Sequence, residues 1–321
     1  AQWIGQWAWV IAPWFWIVLY DPNWFESATE GARTLSIWVA GICMSLALVP
    51  AIFCTFNNTS EDNSQSTAND GTLMDSVRDF GGGIMTTLRN RAFRKICLAT
   101  FLVFNAFQVI AAFSWFIIVY YMNAGDPVAA GVWPTLFGSV GALFTCFLVI
   151  PVVNFCAQTY GKLNTFIVSQ SVSLLGYISL WWGFSPEDPW MMFIPLPLFA
   201  FGIGGLFTIM MSMTADICDM DELETGERRE GTFGAIYWWM VKFGAAVAGA
   251  GSGLILSLIG FDQNVSVQSE ETLALLRLSY IVIPCIGTSI AIFVMRDYDL
   301  DEQKANEIRA QLDARTAAAS R

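Results

Sequence analysis

The stretch ADICDMDELETGERREGTFGAIYWWMVKFG, residues 215–244, is the most informative part of this sequence. Its first half is acidic and polar, and it leads into an apolar run that carries one lysine, Lys242, about two turns inside. This pattern is typical of a loop at a membrane surface followed by a membrane-spanning helix with a charge within it. The fold class therefore depends on whether the rest of the chain is also suited to lipid.

The composition of the whole chain predicts a lipid environment. Apolar residues make up 55% of its 321 residues and charged residues only 13%, and the mean hydropathy is +0.52. A helix needs about 20 apolar residues to cross the hydrocarbon core. Eight stretches approach this length, at 3–20, 34–56, 96–122, 129–157, 163–184, 190–214, 233–259 and 278–295. Because no ten-residue alternating pattern recurs, we predict an all-α integral membrane protein with eight transmembrane helices.

The basic residues predict the orientation of these spans, since cytoplasmic loops retain Lys and Arg. Only Arg33 and Arg277 fall in the loops predicted to face outwards, and Lys242 lies within a span. The other thirteen lie in alternate loops and in the tail: Arg78, Arg89, Arg91, Arg94, Lys95, Lys162, Arg228, Arg229, Arg296, Lys304, Arg309, Arg315 and Arg321. We therefore expect the long loop and the C-terminus to be cytoplasmic.

A polar stretch, NNTSEDNSQSTAND at 57–70, separates two predicted spans from the six that follow. Six helices after a long central loop resemble half of a major-facilitator architecture, in which two six-helix bundles flank the substrate site. We expect residues 1–56 to form the last two helices of the N-terminal bundle, 57–95 the central loop and 96–296 the complete C-terminal bundle. Residues 297–321 are predicted to form a tail with a short amphipathic helix. Because the chain starts at Ala1 within an apolar segment, we expect a fragment that lacks the first four helices.

Several classes of mechanism are unsupported by the residues present. The sequence has no histidine, which excludes His-dependent nucleophiles, proton relays and zinc sites, and it has no GxxxxGK[ST] loop for a nucleotide. Its seven cysteines lack paired spacing. The net charge of −11 comes from acids spread over both faces, without a stripe for nucleic acid. We expect neither an enzyme nor a bound cofactor.

The segment 215–244 resembles the glycoside-pentoside-hexuronide cation symporter family, typified by the melibiose permease. The resemblance rests on the spaced acids Asp216, Asp219 and Glu222, on GERREG at 226–231 and on VKFG at 241–244. It continues through LIGF at 258–261, QSEETL at 268–273 and IVIP at 281–284, and more loosely through RNRAFRK at 89–95, FNAF at 104–107 and YGKLNTF at 160–166. It thus covers the predicted six-helix unit.

Lys242 requires an explanation, because a lysine at mid-span costs about 2.5 to 3.5 kcal/mol. It could snorkel to the interface, but it lies eleven residues beyond Gly231, which is roughly 16 Å at 1.5 Å per residue. We favour a lysine that faces an aqueous cavity. The resemblance implies that Lys242 lies near the sugar and cation sites, with an anionic partner on helices that this chain lacks.

Four apolar or aromatic residues, three of them close to Lys242 in the sequence, are predicted to contact the solute. Tyr237, Trp238 and Val241 match the sugar-contacting stretch of the family, and Phe207 matches an aromatic residue that contacts sugar; core packing is an alternative for Phe207. The membrane-buried amides Asn105, Gln108 and Gln170 could line the cavity or form hydrogen bonds to neighbouring helices, and interhelical bonding is the more common role.

The acids Asp216, Asp219 and Glu222 recur every three residues, which places them along one side of a helix end. They could simply be solvated at the membrane surface. The resemblance implies instead a cytoplasmic gate, in which they pair with basic residues and release them when the gate opens; Arg228 and Arg229 are the nearest partners.

Together these features predict a secondary active transporter that couples symport of a sugar or glycoside to Na⁺ or H⁺ by alternating access. We expect it in the bacterial inner membrane, functional as a monomer when full length, with no nucleic-acid partner. The family's cation-binding carboxylates belong to an early helix outside this chain, so no metal site is predicted here, and residues 1–321 alone should not transport. A non-transporting sensor or scaffold, or a facilitator of a non-sugar solute, are alternatives. A channel lacks a charged ring or filter loop.

Overall fold

The structure, a computed structural model, describes residues 2–20, 24–25, 27–53, 85, 87–263 and 265–319. Within these residues all regular structure is helical. Seven segments are long and apolar enough to cross a membrane: Thr29–Val49, Arg91–Met122, Pro127–Tyr160, Lys162–Gly183, Pro189–Thr225, Glu230–Leu258 and Glu270–Arg296. The predicted all-α membrane fold is confirmed.

The first predicted span, 3–20, differs from the prediction. It consists of two helices, α1 (Gln2–Ile11) and α2 (Trp14–Tyr20), joined by a turn in which the Phe15 N–H donates to the Ala12 carbonyl at 3.2 Å. Pro13 lies in this turn, and proline both lacks a backbone N–H and obstructs the preceding helical turn. Neither helix has the length of a membrane span. The predicted count of eight is therefore not confirmed, and the described residues provide seven candidates.

The remaining helices follow in chain order. They are α3 (Ala28–Phe53), α4 (Arg91–Phe116, extended by a π-helix at Ile117–Met122), α5 (Pro127–Ala130), α6 (Trp133–Phe144), α7 (Ile150–Tyr160), α8 (Lys162–Gly183), α9 (Leu196–Thr225), α10 (Glu230–Leu258), α11 (Glu270–Arg296) and α12 (Glu302–Ala319). A second π-helix, Thr145–Val149, joins α6 to α7, and a 3₁₀ helix, Pro189–Phe193, precedes α9.

The chain divides into two compact units. One comprises residues 1–10 and 83–321, and it contains six of the seven candidate spans; the other comprises residues 11–82. In the smaller unit, α2 packs on α3 and Gly31 is buried beside Leu19 and Phe25. Most side chains of α3 are exposed, Ile37 and Met44 among them. An apolar helix surface of this kind requires lipid or further protein around it.

Helices α8 and α9 approach each other closely at small residues. A methyl group at Gly176 would lie 2.8 Å from both the Leu198 carbonyl carbon and the Phe199 Cα. One helical turn or two away, the Gln170 Nε2 donates to the Gly202 carbonyl at 2.9 Å. Such contacts replace the hydrophobic driving force that is absent between helices in lipid. The interhelical role predicted for Gln170 is confirmed.

Polar side chains cap the N-termini of four helices in the larger unit. Asn90, Asp126, Asp188 and Ser269 each accept a hydrogen bond from a backbone N–H in the first turn that follows, at 2.8 to 3.1 Å. Helix α9 ends at Gly226, whose φ of +77° is left-handed and whose N–H donates to the Glu222 carbonyl. This turn returns the chain into α10 and so places the basic residues 228 and 229 beside the acids of α9.

Candidate functional site

Helix α10 presents the residues predicted to bind solute on two different faces. Tyr237 and Val241, four residues apart, are 0% and 2% exposed and lie in the apolar core. Trp238 is 46% exposed, and Lys242, one turn further on, is exposed as well. Residues four apart on a helix share a face. Of these four residues, only Trp238 and Lys242 are exposed in this structure.

Lys242 has no acidic partner within the described part of the chain. The ion pairs there involve other residues, and all of them lie at one end of the larger unit. Two residues beyond Lys242, the Gly244 carbonyl accepts a hydrogen bond from the Asn105 Nδ2 at 3.1 Å, which ties α4 to α10 as predicted for Asn105. The backbone that carries the lysine is thus fixed, while its ammonium group remains available for an anion or a hydrogen-bond acceptor.

The Phe207 ring of α9 stacks on the Trp238 ring, with centroids 6.1 Å apart and an interplanar angle of 23°. Tyr237 meets the same tryptophan edge to face at 5.9 Å. These contacts hold the Trp238 side chain from two sides and leave nearly half of it exposed. An aromatic surface one turn from an ammonium group suits a ligand with an apolar ring face and polar substituents.

The charged end of the larger unit, defined by residues 90–95, 160–162, 216–230 and 297–315, contains the predicted gate residues. Lys162, at the start of α8, donates to both carboxylate oxygens of Asp216 on α9, at 2.9 and 2.6 Å. Both side chains are about one-fifth exposed. Lys162 was not among the predicted gate residues, because its distance of 54 residues from Asp216 in sequence gives no local signal.

Asp219 lies at the centre of the charged end and is 10% exposed at its side chain. One of its oxygens accepts from Arg228 and the other from Arg309 of α12, each at 3.3 Å. Arg228 also donates to Glu222 at 2.7 Å and to Glu230 at 3.1 Å. These bonds to Glu222 and Glu230 raise the pKa of the Arg228 guanidinium above its ordinary value. The structure thus brings together Asp219, Glu222 and Arg228, as their spacing suggested.

Asp221 is a member of the charged end that sequence reasoning missed. It pairs with Arg229 through two hydrogen bonds, of 2.5 and 2.9 Å, and is 6% exposed. It lies off the three-residue spacing of the other acids, so periodicity gave no reason to select it. The Gly226 turn folds Arg229 back over the last turn of α9, and this reversal creates the pair. The bond to Asp221 raises the pKa of Arg229.

Helix α12 packs along α9 at the charged end. Ile308 contacts the apolar core, and Arg315 donates to the Leu223 carbonyl at 3.3 Å. Just before α12, Asp299 lies 3.5 Å from both Arg91 and Lys95, and Lys95 also donates to the Asp297 carbonyl. The segment after α11 is therefore held against both α4 and α9 by charged contacts.

Within the ranges that the structure describes, no cluster of three or more Cys, Asp or Glu side chains could hold a metal ion. Four of the buried or half-buried carboxylates of α9 are each paired with a lysine or arginine: Asp216, Asp219, Asp221 and Glu222. A co-transported cation would therefore need ligands other than these four carboxylates. That its ligands are carboxylates on an early helix outside this chain stays a prediction.

The fold and the site define a multi-pass integral membrane protein in which a mid-span lysine and a tryptophan, Lys242 and Trp238, are exposed. Residues 7–302 match the profile of the MFS/sugar transport protein family. The chain belongs to this family, and the family predicted from residues 215–244 is confirmed.

Three curated relatives resemble the chain at similar levels of identity. It is 27% identical to a glucuronide carrier protein homolog of Escherichia coli (strain K12), over 72% of this chain and 49% of the relative. It is 26% identical to the isoprimeverose transporter of Lactiplantibacillus pentosus, over 51% of this chain and 34% of the relative. It is 23% identical to an uncharacterized symporter of Bacillus subtilis (strain 168), over 70% of this chain and 47% of the relative. The chain spans about half the length of these relatives or less.

Proposed function

We propose that the protein is a secondary active transporter that carries a sugar or glycoside together with Na⁺ or H⁺ by alternating access. The solute binds to the surface formed by Phe207, Trp238 and Lys242. Tyr237 and Val241 support that surface from the core, since their side chains are buried. The charged end acts as the gate on the cytoplasmic side.

The observation that carries this proposal is the unpartnered Lys242. An ammonium group in mid-span is stable only if water, an anion or a polar ligand compensates it. Within the described residues no carboxylate does so. A solute in an aqueous cavity, or a carboxylate on another helix, supplies the compensation, and both are expected in a transporter that binds its substrate at mid-span.

The relatives support a carbohydrate as the solute, because their names include a glucuronide carrier and an isoprimeverose transporter. The symporter among them supports a coupling ion. A positive charge beside a stacking surface favours a solute that offers an anionic group or several hydroxyl oxygens to Lys242.

The clustering of basic residues at the charged end supports a cytoplasmic location for that end and for α12, since Lys and Arg are retained on that side during insertion. We accordingly propose the bacterial inner membrane, with the long loop inside and the whole protein active as a monomer.

The gate proposal rests on Asp219, which links the turn after α9 to α12 through Arg228 and Arg309. When the cytoplasmic side opens, these pairs separate and α12 leaves α9. We therefore expect Asp219→Asn to release α12, because the neutral amide loses both charge-assisted bonds, each worth about 1.5 to 3 kcal/mol at most. Trypsin cleavage after Arg309 and Arg315 in inside-out vesicles should become about tenfold faster.

The matched control is Asp313→Asn, which removes the same charge from an exposed position of α12. It should leave the cleavage rate unchanged. Equal cleavage of the wild type and the Asp219 variant would show that Asp219 does not hold α12, and the gate would need other contacts.

The transport proposal is tested by uptake into energised vesicles that contain the whole protein. Labelled methyl glycosides of glucose, galactose, xylose and glucuronic acid are supplied with a Na⁺ gradient, with a pH gradient, or with neither. We expect at least one glycoside to accumulate above its external concentration and only with one of the gradients. Dissipation of that gradient with an ionophore should release it.

The alternatives predict different results in the same vesicles. A facilitator equilibrates a solute without accumulating it. A sensor or scaffold binds a solute without moving it, or binds none. Either result for every glycoside in the panel contradicts symport.

A further inference from the structure

We infer that aromatic side chains next to the proposed sugar site form a second subsite, which holds the apolar aglycone of a glycoside. The aromatic row, as we name it, consists of Trp9, Phe107, Phe104, Phe207 and Trp238. The inference rests on the proposed function, because it specifies which part of the solute lies beyond the surface of Trp238 and Lys242.

The aromatic row is continuous across four helices. From Trp238 the ring of Phe207 follows at 6.1 Å, then Phe104 at 5.9 Å, Phe107 at 6.4 Å and Trp9 at 6.4 Å, measured between successive ring centroids. All of these separations lie within the range of interacting aromatic pairs. The row thus extends the surface on α10 across α9 and α4 to α1.

The accessibility of the rings points to a ligand surface and not only to core packing. Phe104, in the middle, is 8% exposed and anchors the row in the core. Phe107 and Phe207 are partly exposed, and Trp9 and Trp238 at the two ends are 54% and 46% exposed. A ligand along the row would therefore meet ring surface at both ends.

The two ends differ in polarity. Trp238 lies one turn from the ammonium of Lys242. Near Trp9 the chain is uncharged, since neither α1 nor the part of α4 after Lys95 contains a charged residue. The one amide between Phe104 and Phe107, Asn105, is occupied by the Gly244 carbonyl.

A glycoside has the same polarity along its length when its sugar, rich in hydroxyl groups, carries an apolar aglycone. The sugar would lie at Trp238 and Lys242, and the aglycone at Phe107 and Trp9. In the reverse orientation, the sugar hydroxyl groups would lie against aromatic rings that offer them no hydrogen bonds, and the apolar aglycone would lie beside the ammonium of Lys242. The hydroxyl groups and the ammonium would then each lose water without gaining a polar partner, which costs free energy. The row therefore orients the solute as well as binding it.

The test compares the affinity of purified whole protein for 4-biphenylyl and methyl glycosides of the same four sugars, measured by isothermal titration calorimetry. The biphenylyl group is long enough to extend from the sugar along the row. For the sugar that binds, the wild type should bind the biphenylyl glycoside about tenfold more tightly, which corresponds to one or two aromatic contacts. Phe107→Leu and Trp9→Leu should each bring the two affinities to within about twofold, while leaving the affinity for the methyl glycoside unchanged. Leucine keeps apolar volume, and Trp9 is half exposed, so both variants should fold.

The matched control is Phe101→Leu. Phe101 lies on the same helix as Phe107 and stacks on Phe243 at 5.6 Å, outside the aromatic row. It should retain the preference of the wild type for the biphenylyl glycoside.

The inference would be overturned, with the proposed function intact, by equal binding of biphenylyl and methyl glycosides by the wild type, or by an unchanged preference in both row variants. A loss of affinity for both glycosides alike would also overturn it, because the row would then serve the sugar. Absence of binding by any of the glycosides would contradict the proposed function itself.

Discussion

Replacement of Lys242 by methionine is expected to reduce gradient-driven glycoside accumulation about 100-fold in vesicles containing the whole protein. Methionine keeps the length and apolar stem of lysine but lacks the charge. Loss of a hydrogen bond to a charged group costs about 1.5 to 3 kcal/mol, and 100-fold corresponds to about 2.7 kcal/mol. The measurement is the initial rate of uptake at low glycoside concentration, normalised to the amount of protein in the membrane.

Two further variants separate the charge of Lys242 from its position. Lys242→Arg keeps a cation and should lose less than about tenfold, since the guanidinium binds the same acceptors with different geometry. Trp239→Leu is the control on the same helix, because Trp239 is exposed and stacks on Phe243 away from Phe207. If the methionine variant takes up the glycoside at the wild-type rate, Lys242 has no role in transport, and its side chain simply extends to the membrane interface.

Replacement of Gly176 by alanine is expected to have the largest effect on folding. The added methyl group would lie 2.8 Å from backbone atoms of Leu198 and Phe199, which cannot rotate away as a side chain can. Helices α8 and α9 would have to separate and stretch the bond between Gln170 and Gly202. We expect a loss of about 3 kcal/mol, at the upper end for overpacked sites. Thermal unfolding of the whole protein in detergent, followed by size-exclusion chromatography, measures this loss.

Gly251→Ala is the matched control, since outside its own stretch of helix backbone a methyl group there would have no described heavy atom within 4 Å. Alanine favours a helix by about 1 kcal/mol over glycine, so this variant should be as stable as the wild type or more so. If both variants melt at the wild-type temperature, the close contact between α8 and α9 does not limit stability.

The sequence predicted the pairing of charges at the charged end only in part. Asp219 and Glu222 could be connected with Arg228 because the Gly226 turn lies between them in the chain. The pair of Lys162 with Asp216 and the contact of Arg309 with Asp219 join segments 54 and 90 residues apart. Such pairs follow from the packing of helices, which one sequence does not encode locally.

The same limit applies to the residues proposed to bind the solute. Tyr237, Trp238 and Val241 all lie within a turn and a half of Lys242 on α10. Their positions in the sequence gave equal reason to predict that each of them contacts the solute. The rotation of α10 against α4 and α9 buries Tyr237 and Val241 and exposes Trp238 and Lys242. The contact of Trp9 with Phe107 depends on the packing of α1 against α4. The sequence pattern within α1 does not show which helix it packs against.

By itself the sequence determined that this protein lies in lipid, that it is helical and that it belongs to the MFS/sugar transport protein family. It could do so because a bilayer imposes the length and polarity of each span on a contiguous run of residues, and because the family motif at 215–244 is local. The tertiary structure alone decided the face that each residue of α10 presents and the ion pairs that join distant segments, Lys162 with Asp216 and Arg309 with Asp219. These properties depend on turns and on the rotation of helices against each other, which arise from contacts between residues far apart in the chain.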